Sequence, residues 1–223
     1  MQRAIGITMF ATAAVCGLAY MYRDNPAIAR FLLADTPTAE ATIAWPPVLG
    51  KEYPDLQLID QTGNTTRLSD FRGKVLLVEM VGIPCGACQA FSGGRDVGAF
   101  RGGSVQANLD SIEVYAERYG KFDLDDDRIV FVQLLLFDEK IYAPTSADAA
   151  AWAEHFGMER SKNQIVLVGT KEMATRQSYD MIPGFHLIDR DFKFDRDSAG
   201  HNPKHNLYKD LLPRMRELVE AAR

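Results

Sequence analysis

Apolar residues fall along this chain in segments of different period. The first is an unbroken run, residues 4–22 (AIGITMFATAAVCGLAYMY), without a charge. As a helix it would rise about 28 Å, close to the thickness of a bilayer's hydrocarbon core. Tyr20, Tyr22 and Arg23 at its far end suit a headgroup boundary. The run exceeds the core of a usual cleaved signal peptide, and no clean Ala-x-Ala site stands close behind it. Residues 1–23 therefore read as an uncleaved membrane anchor, with a cleaved signal or a buried soluble helix as the competing readings. A short tail ahead of one apolar run ordinarily stays inside and exports the chain beyond the run. That default places the remainder on the extracytoplasmic side, periplasmic or at the cell surface.

Residues 24–49 carry Ala, Thr and Pro without a period and read as a linker. A folded domain over 50–223 is expected next. Tyr53 to Asp60 reads as a short strand, followed by a turn at Gln61–Asn64 and a second short segment through Leu68. Val75-Leu76-Leu77-Val78 and the stretch Arg128 to Phe137 (RIVFVQLLLF) are continuous apolar runs, as in strands buried on both faces. Ser146 to Phe156 reads as a helix capped by Ser146 or Thr145. Gln164 to Val168 reads as a third short strand. Gly184 to Asp189 and Phe192 to Phe194 read as a tight hairpin. Leu207, Leu211, Met215, Leu218 and Ala222 recur at helical spacing, with Pro213 expected to kink that helix or restart it. The glycines of FSGGRDVGAFRGGS (91–104) oppose a continuous helix. A break or inserted loop is expected there, then a helix from about Val105 to Arg118. Strands alternating with helices, closed by a hairpin and a helix, predict an α/β fold with a mixed central sheet and helices on both faces.

Composition narrows the function. The chain has 223 residues, 47% hydrophobic and 25% charged, enough to bury a core. A net charge of −5 leaves no broad basic footprint, so nucleic acid is not an expected partner. There are 3 cysteines. Cys16 lies inside the apolar run, where Val15 before it suits lipidation poorly. Cys85 and Cys88 stand in Cys-Gly-Ala-Cys, directly after a buried strand and at the start of an expected helix.

That placement has a chemical meaning. A thiolate, not a thiol, attacks a disulfide, and a helix N-terminus favours the anion. Two intervening residues bring Cys88 one turn on, within reach of Cys85. Cys85 is then the exposed nucleophile and Cys88 the resolving thiol. Gly86 and Ala87 add no cation, which speaks against an extreme oxidant. Two other readings stay open: half of a zinc site completed by His201 and His205, and an inert pair of core cysteines.

From Gly50 onward the sequence resembles the thioredoxin-like superfamily, in its membrane-anchored TlpA/ResA-type branch of thiol–disulfide oxidoreductases. The resemblance rests on YPDLQLIDQTGNTTRLSDFRGKVLLVEM, on the CGAC just after it, and on Met181-Ile182-Pro183-Gly184-Phe185-His186-Leu187-Ile188-Asp189, which looks like the family's cis-proline loop and following strand. It implies catalytic roles for Cys85 and Cys88. It also implies that Ile182 and Pro183 face Cys85 and bind extended substrate chain, and that Glu79 on the buried strand exchanges a proton with the resolving cysteine. A buried carboxylate has a raised pKa and can act as a base near neutrality. The expected activity is reduction of specific partner disulfides without a cofactor or metal. Its partners would be protein thiols and disulfides and a membrane electron donor, with residues 4–22 in the membrane. Pro84 stands where the family commonly has Trp, and the glycine-rich stretch is unusual for it. His186 replaces a frequent aromatic and reads as a hydrogen-bonded core histidine, with proton relay or metal binding as the alternatives. Two other activities share the fold: a thiol peroxidase, which would want a Thr ahead of the cysteine, and a Sco-type copper chaperone, whose cysteines are spaced C-x-x-x-C.

Overall fold

A computed structural model describes residues 44–221 of the protein. The apolar run 4–22, Cys16 and most of the linker lie outside the described residues. Among the described residues no helix is long and apolar enough to cross a membrane.

The domain opens with a small antiparallel hairpin, β1 (Gln57–Ile59) and β2 (Thr65–Arg67). Its turn is tied by Asp60, whose Oδ1 accepts from the Thr62 and Asn64 N–H groups at 2.8 and 3.2 Å. The flanks of the expected Tyr53–Asp60 strand contribute only single bridges, from Glu52 to Lys193 and from Asp60 to Leu167. Trp45 and Leu49 pack on the same core, and the Trp45 indole N–H donates to the Ser178 hydroxyl at 2.8 Å. The fold thus takes in residues ahead of Gly50.

Next come β3 (Val75–Gly82), α1 (Gly86–Phe91), the single turn α2 (Gly94–Val97) and α3 (Ile112–Tyr115), which runs on as a π turn over Ala116–Gly120. They are followed by β4 (Ile129–Phe137), α4 (Ser146–Phe156), β5 (Gln164–Val168), α5 (Arg176–Asp180), β6 (Gly184–Ile188), β7 (Phe194–Ala199) and α6 (Leu212–Glu220). The main sheet has the order β5-β4-β3-β6-β7, parallel from β5 to β3 and antiparallel from β3 to β7.

Side chains of β3 alternate between two cores, as the period of two in a strand requires. Val75, Leu77 and Val81 join a layer with α1, α3, α4 and α6; Leu76, Val78 and Met80 join a layer with Tyr53, Leu56, Phe192 and Phe194. The two layers differ in their covering. From β3 to β4 to β5 the chain steps in one direction across the sheet, and right-handed crossovers then put both connections on one side. The other face is covered by the hairpin, short 3-10 turns and the residues flanking α5.

Local signals hold at most element ends. Thr145 and Asp148 form a reciprocal capping box at α4, and Gly157 closes it at φ 68°. Pro213 marks a restart: a π turn over Leu207–Leu211, capped by Asn206, passes into α6. Two expectations change. The helix placed from Val105 begins at Ile112, because Gln106 N–H bonds to Gly86 O at 2.9 Å and the chain turns at Ala107–Asn108, with Asn108 at φ 63°, before Ser111 caps the helix. The closing strand begins at Phe194, not Phe192, because Phe192 belongs to the turn, at φ 65° with its N–H on Asp189 O.

Candidate active site

β3 ends at Gly82, and α1 starts four residues later. Cys85 is the N-cap of α1 and accepts the Cys88 N–H at 3.3 Å. Both thiols are free; Cys85 is partly exposed and Cys88 fully buried. The neighbouring Cys88 side chain, helped by the backbone N–H groups of Cys88 and Ala87 and opposed by burial, lowers Cys85 from 9.0 to about 7, while the Cys88 thiol itself points to Met80 O at 3.9 Å. Cys88 is pushed the other way, by burial first and then by its bond to Cys85 and the charges of Cys85 and Glu79. One thiol is thus prepared to ionise at the surface while the other keeps its proton below it.

The Ile182–Pro183 peptide is cis, as expected. Ile182 packs over Gly82 beside Cys85: a Cβ at Gly82 would lie 3.5 Å from Ile182 Cδ1 and 3.9 Å from Cys85 Cβ. Gly200 N–H holds the loop by bonding to the carbonyls of Met181 and Pro183, each at 3.0 Å. A cleft of about 410 Å³ opens here, lined by Pro84, Cys85, Gln106, Ile141, Tyr179, Ile182, Pro183 and His201 among others.

The glycine-rich stretch packs beside the segment that carries the cysteines, outside the residues that line the cleft. Buried Gln89 donates to Ile83 O and accepts the Phe100 N–H, both at 2.9 Å, pinning the insert to the segment that carries the cysteines. Gly103 is required there, since a Cβ would lie 2.5 Å from the Gln89 amide.

Glu79 lies on the α1 side of β3 with no exposed surface. Its partner in register on β4 is Gln133, which donates to Glu79 Oε2 at 2.8 Å, while Oε1 has no hydrogen-bond partner among the described residues. Burial drives the Glu79 carboxyl well above 4.5, against the lowering effect of Gln133.

No protein-family model and no curated protein matches the sequence. Among solved structures, a candidate protein disulfide isomerase from Bacteroides thetaiotaomicron superposes with a TM-score of 0.50 at 16% identity, over 80% of this chain and 94% of that one. The fold is thioredoxin-like. The thioredoxin domain of a thiol-disulfide oxidoreductase from Bacteroides vulgatus gives 0.44 at 16% identity, covering 78% and 96% of the two chains. A thiol:disulfide interchange protein from Bacteroides sp. gives 0.46 at 19%, covering 78% and 91%. At such identities the likeness is one of fold.

Other sequence candidates separate within the thioredoxin-like domain. His186 lies on the opposite sheet face from the cysteines, with Nδ1 3.1 Å from the Tyr53 hydroxyl and Nε2 3.7 Å from Asp197. It is a core histidine, lowered to about 3 by burial and by Lys204. His201 lines the cleft, whereas His205 Nδ1 accepts the Asp197 N–H. Among the described residues no cluster of three or more His, Cys, Asp or Glu is placed to hold a metal. Sequence reasoning missed Gln133, Ile141 and Tyr179. Only Gln133 had a signal, as the lone uncharged polar residue within RIVFVQLLLF.

Proposed function

We propose that this protein is a membrane-tethered thiol–disulfide oxidoreductase that reduces disulfides in partner proteins on the extracytoplasmic side. Residues 4–22 would be its anchor and a membrane electron donor its source of reducing equivalents. The observation that carries the reading is the asymmetry of the two thiols: Cys85 at the cleft is lowered to about 7, and Cys88 beneath it is raised. The Cys85 thiolate attacks a partner disulfide, forming a mixed disulfide and expelling one partner thiolate, which takes a proton from solvent. Cys88 then loses its proton to Glu79 and attacks Cys85 Sγ. The Cys85–Cys88 disulfide forms, the second partner thiolate leaves and is protonated by solvent, and two electrons have passed to the partner. The donor's dithiol restores the starting state.

Cys85 supports the proposed direction of flow. A strongly oxidising pair stabilises its reduced form through a thiolate of pKa near about 3.5. A value of about 7 carries much less of that bias and suits a reductant. Ile182 and Pro183 line the cleft beside Cys85, where an extended partner chain would lie.

The test is trapping with the full chain in its membrane. Cys88→Ser should leave partner proteins covalently attached at Cys85, and a membrane-impermeant thiol reagent should label Cys85 from the extracytoplasmic side. No trapped partner together with no reversible Cys85–Cys88 disulfide would sink the mechanism. Labelling only from the cytoplasmic side would overturn the topology. Peroxide consumption without disulfide reduction would favour the peroxidase reading instead.

A further inference from the structure

Beneath Cys88 lies a buried polar chain whose direction can be read without ambiguity. The Trp152 indole N–H donates to Gln133 Oε1 at 2.8 Å. An indole nitrogen only donates, so the oxygen of the Gln133 amide must face Trp152. The amide nitrogen is then turned the other way, toward Glu79 Oε2 at 2.8 Å and Ser92 Oγ at 2.6 Å. The Ser92 hydroxyl, accepting from Gln133, donates its own proton to Cys88 O at 2.9 Å. Trp152, Gln133 and Glu79 are all completely buried.

One consequence concerns the carboxyl. Both Gln133 N–H groups are committed, so Glu79 Oε2 is always an acceptor. A proton on Glu79 can therefore sit only on Oε1, the buried oxygen that has no partner. We infer that Trp152 and Gln133 are positioning residues that confine the Glu79 proton to Oε1 and favour the carboxylate that receives the Cys88 proton. The inference rests on the proposed exchange chemistry. The proton moves from Cys88 Sγ to Glu79 Oε1 as the Cys88 thiolate forms the bond to Cys85 Sγ. It returns when the pair is reduced again. Burial alone would keep Glu79 protonated and unable to accept; the fixed donor from Gln133 opposes that.

The groups that face Glu79 make the assignment specific. Helix α1, on the same sheet face, carries Cys88 and Cys85, each close enough to interact with the charge of Glu79; β4 presents Gln133, β6 places Phe185 in register, and Trp152 of α4 reaches Glu79 only through Gln133. The cysteines are thus the titrating neighbours among the described residues, and a shift in the Glu79 equilibrium reads out on them.

A biphasic reaction of the reduced full-length protein with an aromatic disulfide reagent, 5,5′-dithiobis(2-nitrobenzoate), tests this across pH. The first phase is attack by Cys85 and the second is resolution by Cys88, each releasing one coloured thiolate. Gln133→Leu should move the pH midpoint of the second phase upward by about one unit, a roughly tenfold slower resolution at pH 7. The first phase should stay centred near pH 7. Trp152→Phe keeps an aromatic ring and removes the N–H that orients Gln133, so it should shift the second phase the same way by less. Urea unfolding of each variant checks that it is folded. An unmoved second-phase midpoint in folded Gln133→Leu and Trp152→Phe would overturn the inference while leaving the exchange chemistry intact. A second phase unaffected by Glu79→Gln would also overturn it. Absence of any second phase in the unsubstituted protein would instead sink the exchange reading.

Discussion

Two buried titratable side chains occupy neighbouring strands of one sheet, on opposite faces. Glu79 on β3 faces α1, and His186 on β6 faces the layer of Tyr53 and Phe194. Burial favours the neutral form of both, raising Glu79 and lowering His186 to about 3. They differ in how they are satisfied. His186 has the Tyr53 hydroxyl at one ring nitrogen and Asp197 near the other, whereas Glu79 leaves one oxygen without a partner. Satisfied polar groups specify a core; an unsatisfied one in a native interior calls for another explanation. Here the unsatisfied group lies on the face that also carries the cysteines.

Loss of Cys85 is the largest test of that contrast. Cys85→Ser should reduce disulfide exchange to the uncatalysed rate, and Cys88→Ser should stop it at the mixed disulfide, both seen by mass spectrometry of the trapped species. Glu79→Gln comes next. It should slow resolution near pH 7 by about 100-fold, within the usual range for proton transfer by a positioned group. It should also stabilise the fold. The folded carboxyl stays protonated to a pH well above 4.5, while the unfolded one ionises from about 4.5 upward. Stability contributed by Glu79 is therefore present below 4.5 and lost as pH rises. Urea melts should show Glu79→Gln more stable than the parent at pH 8 and equal to it at pH 4; a less stable variant at pH 8 would contradict the burial cost.

The back face should respond in the opposite sense. His186→Leu leaves the Tyr53 hydroxyl without its partner and should cost about 1–3 kcal/mol, with both exchange phases unchanged. A change in exchange rate would break the division between the faces. Linkage also runs the other way from Glu79. The stability held by neutral His186 is complete above its unfolded value of about 6.5 and is lost as pH falls toward 3. The parent should weaken across that window more than His186→Leu does. The smallest effect is expected at the cleft rim. Ile141 holds a left-handed backbone (φ 64°) that disfavours a β-branched residue, and Asp138 accepts the Lys140 and Tyr142 N–H groups at 2.8 Å to keep the turn closed. Ile141→Gly should preserve the turn and lower kcat/KM for a protein disulfide only a few-fold, measured against an unchanged rate with a small disulfide reagent.

Much of the fold was readable from local signals. Continuous apolar runs marked β3 and β4 because both are buried on two faces, and of the two expected caps of α4, Ser146 and Thr145, it is Thr145 that caps it. The glycine-rich segment was readable as an interruption, but its path was not. Its path depends on Gln89, which reaches from α1 to Phe100, and on Gln106 bonding to Gly86; no spacing in the sequence announces either contact. The late start of α3 has the same origin, since the Gln106–Gly86 bond ties the chain beside α1 and keeps it non-helical past Val105.

By itself the sequence placed a cysteine pair at a helix start and a carboxylate inside an apolar strand, both by short-range chemistry. The cis-proline loop at Pro183 was legible only through the resemblance to the thioredoxin-like superfamily. Only the tertiary structure decided which face Glu79 shares with Cys88, that Gln133 meets it across the sheet, and that Trp152 turns the Gln133 amide toward it. Those relations join residues far apart in the chain, and strand register together with the one-sided layering of helices brings them within hydrogen-bond distance.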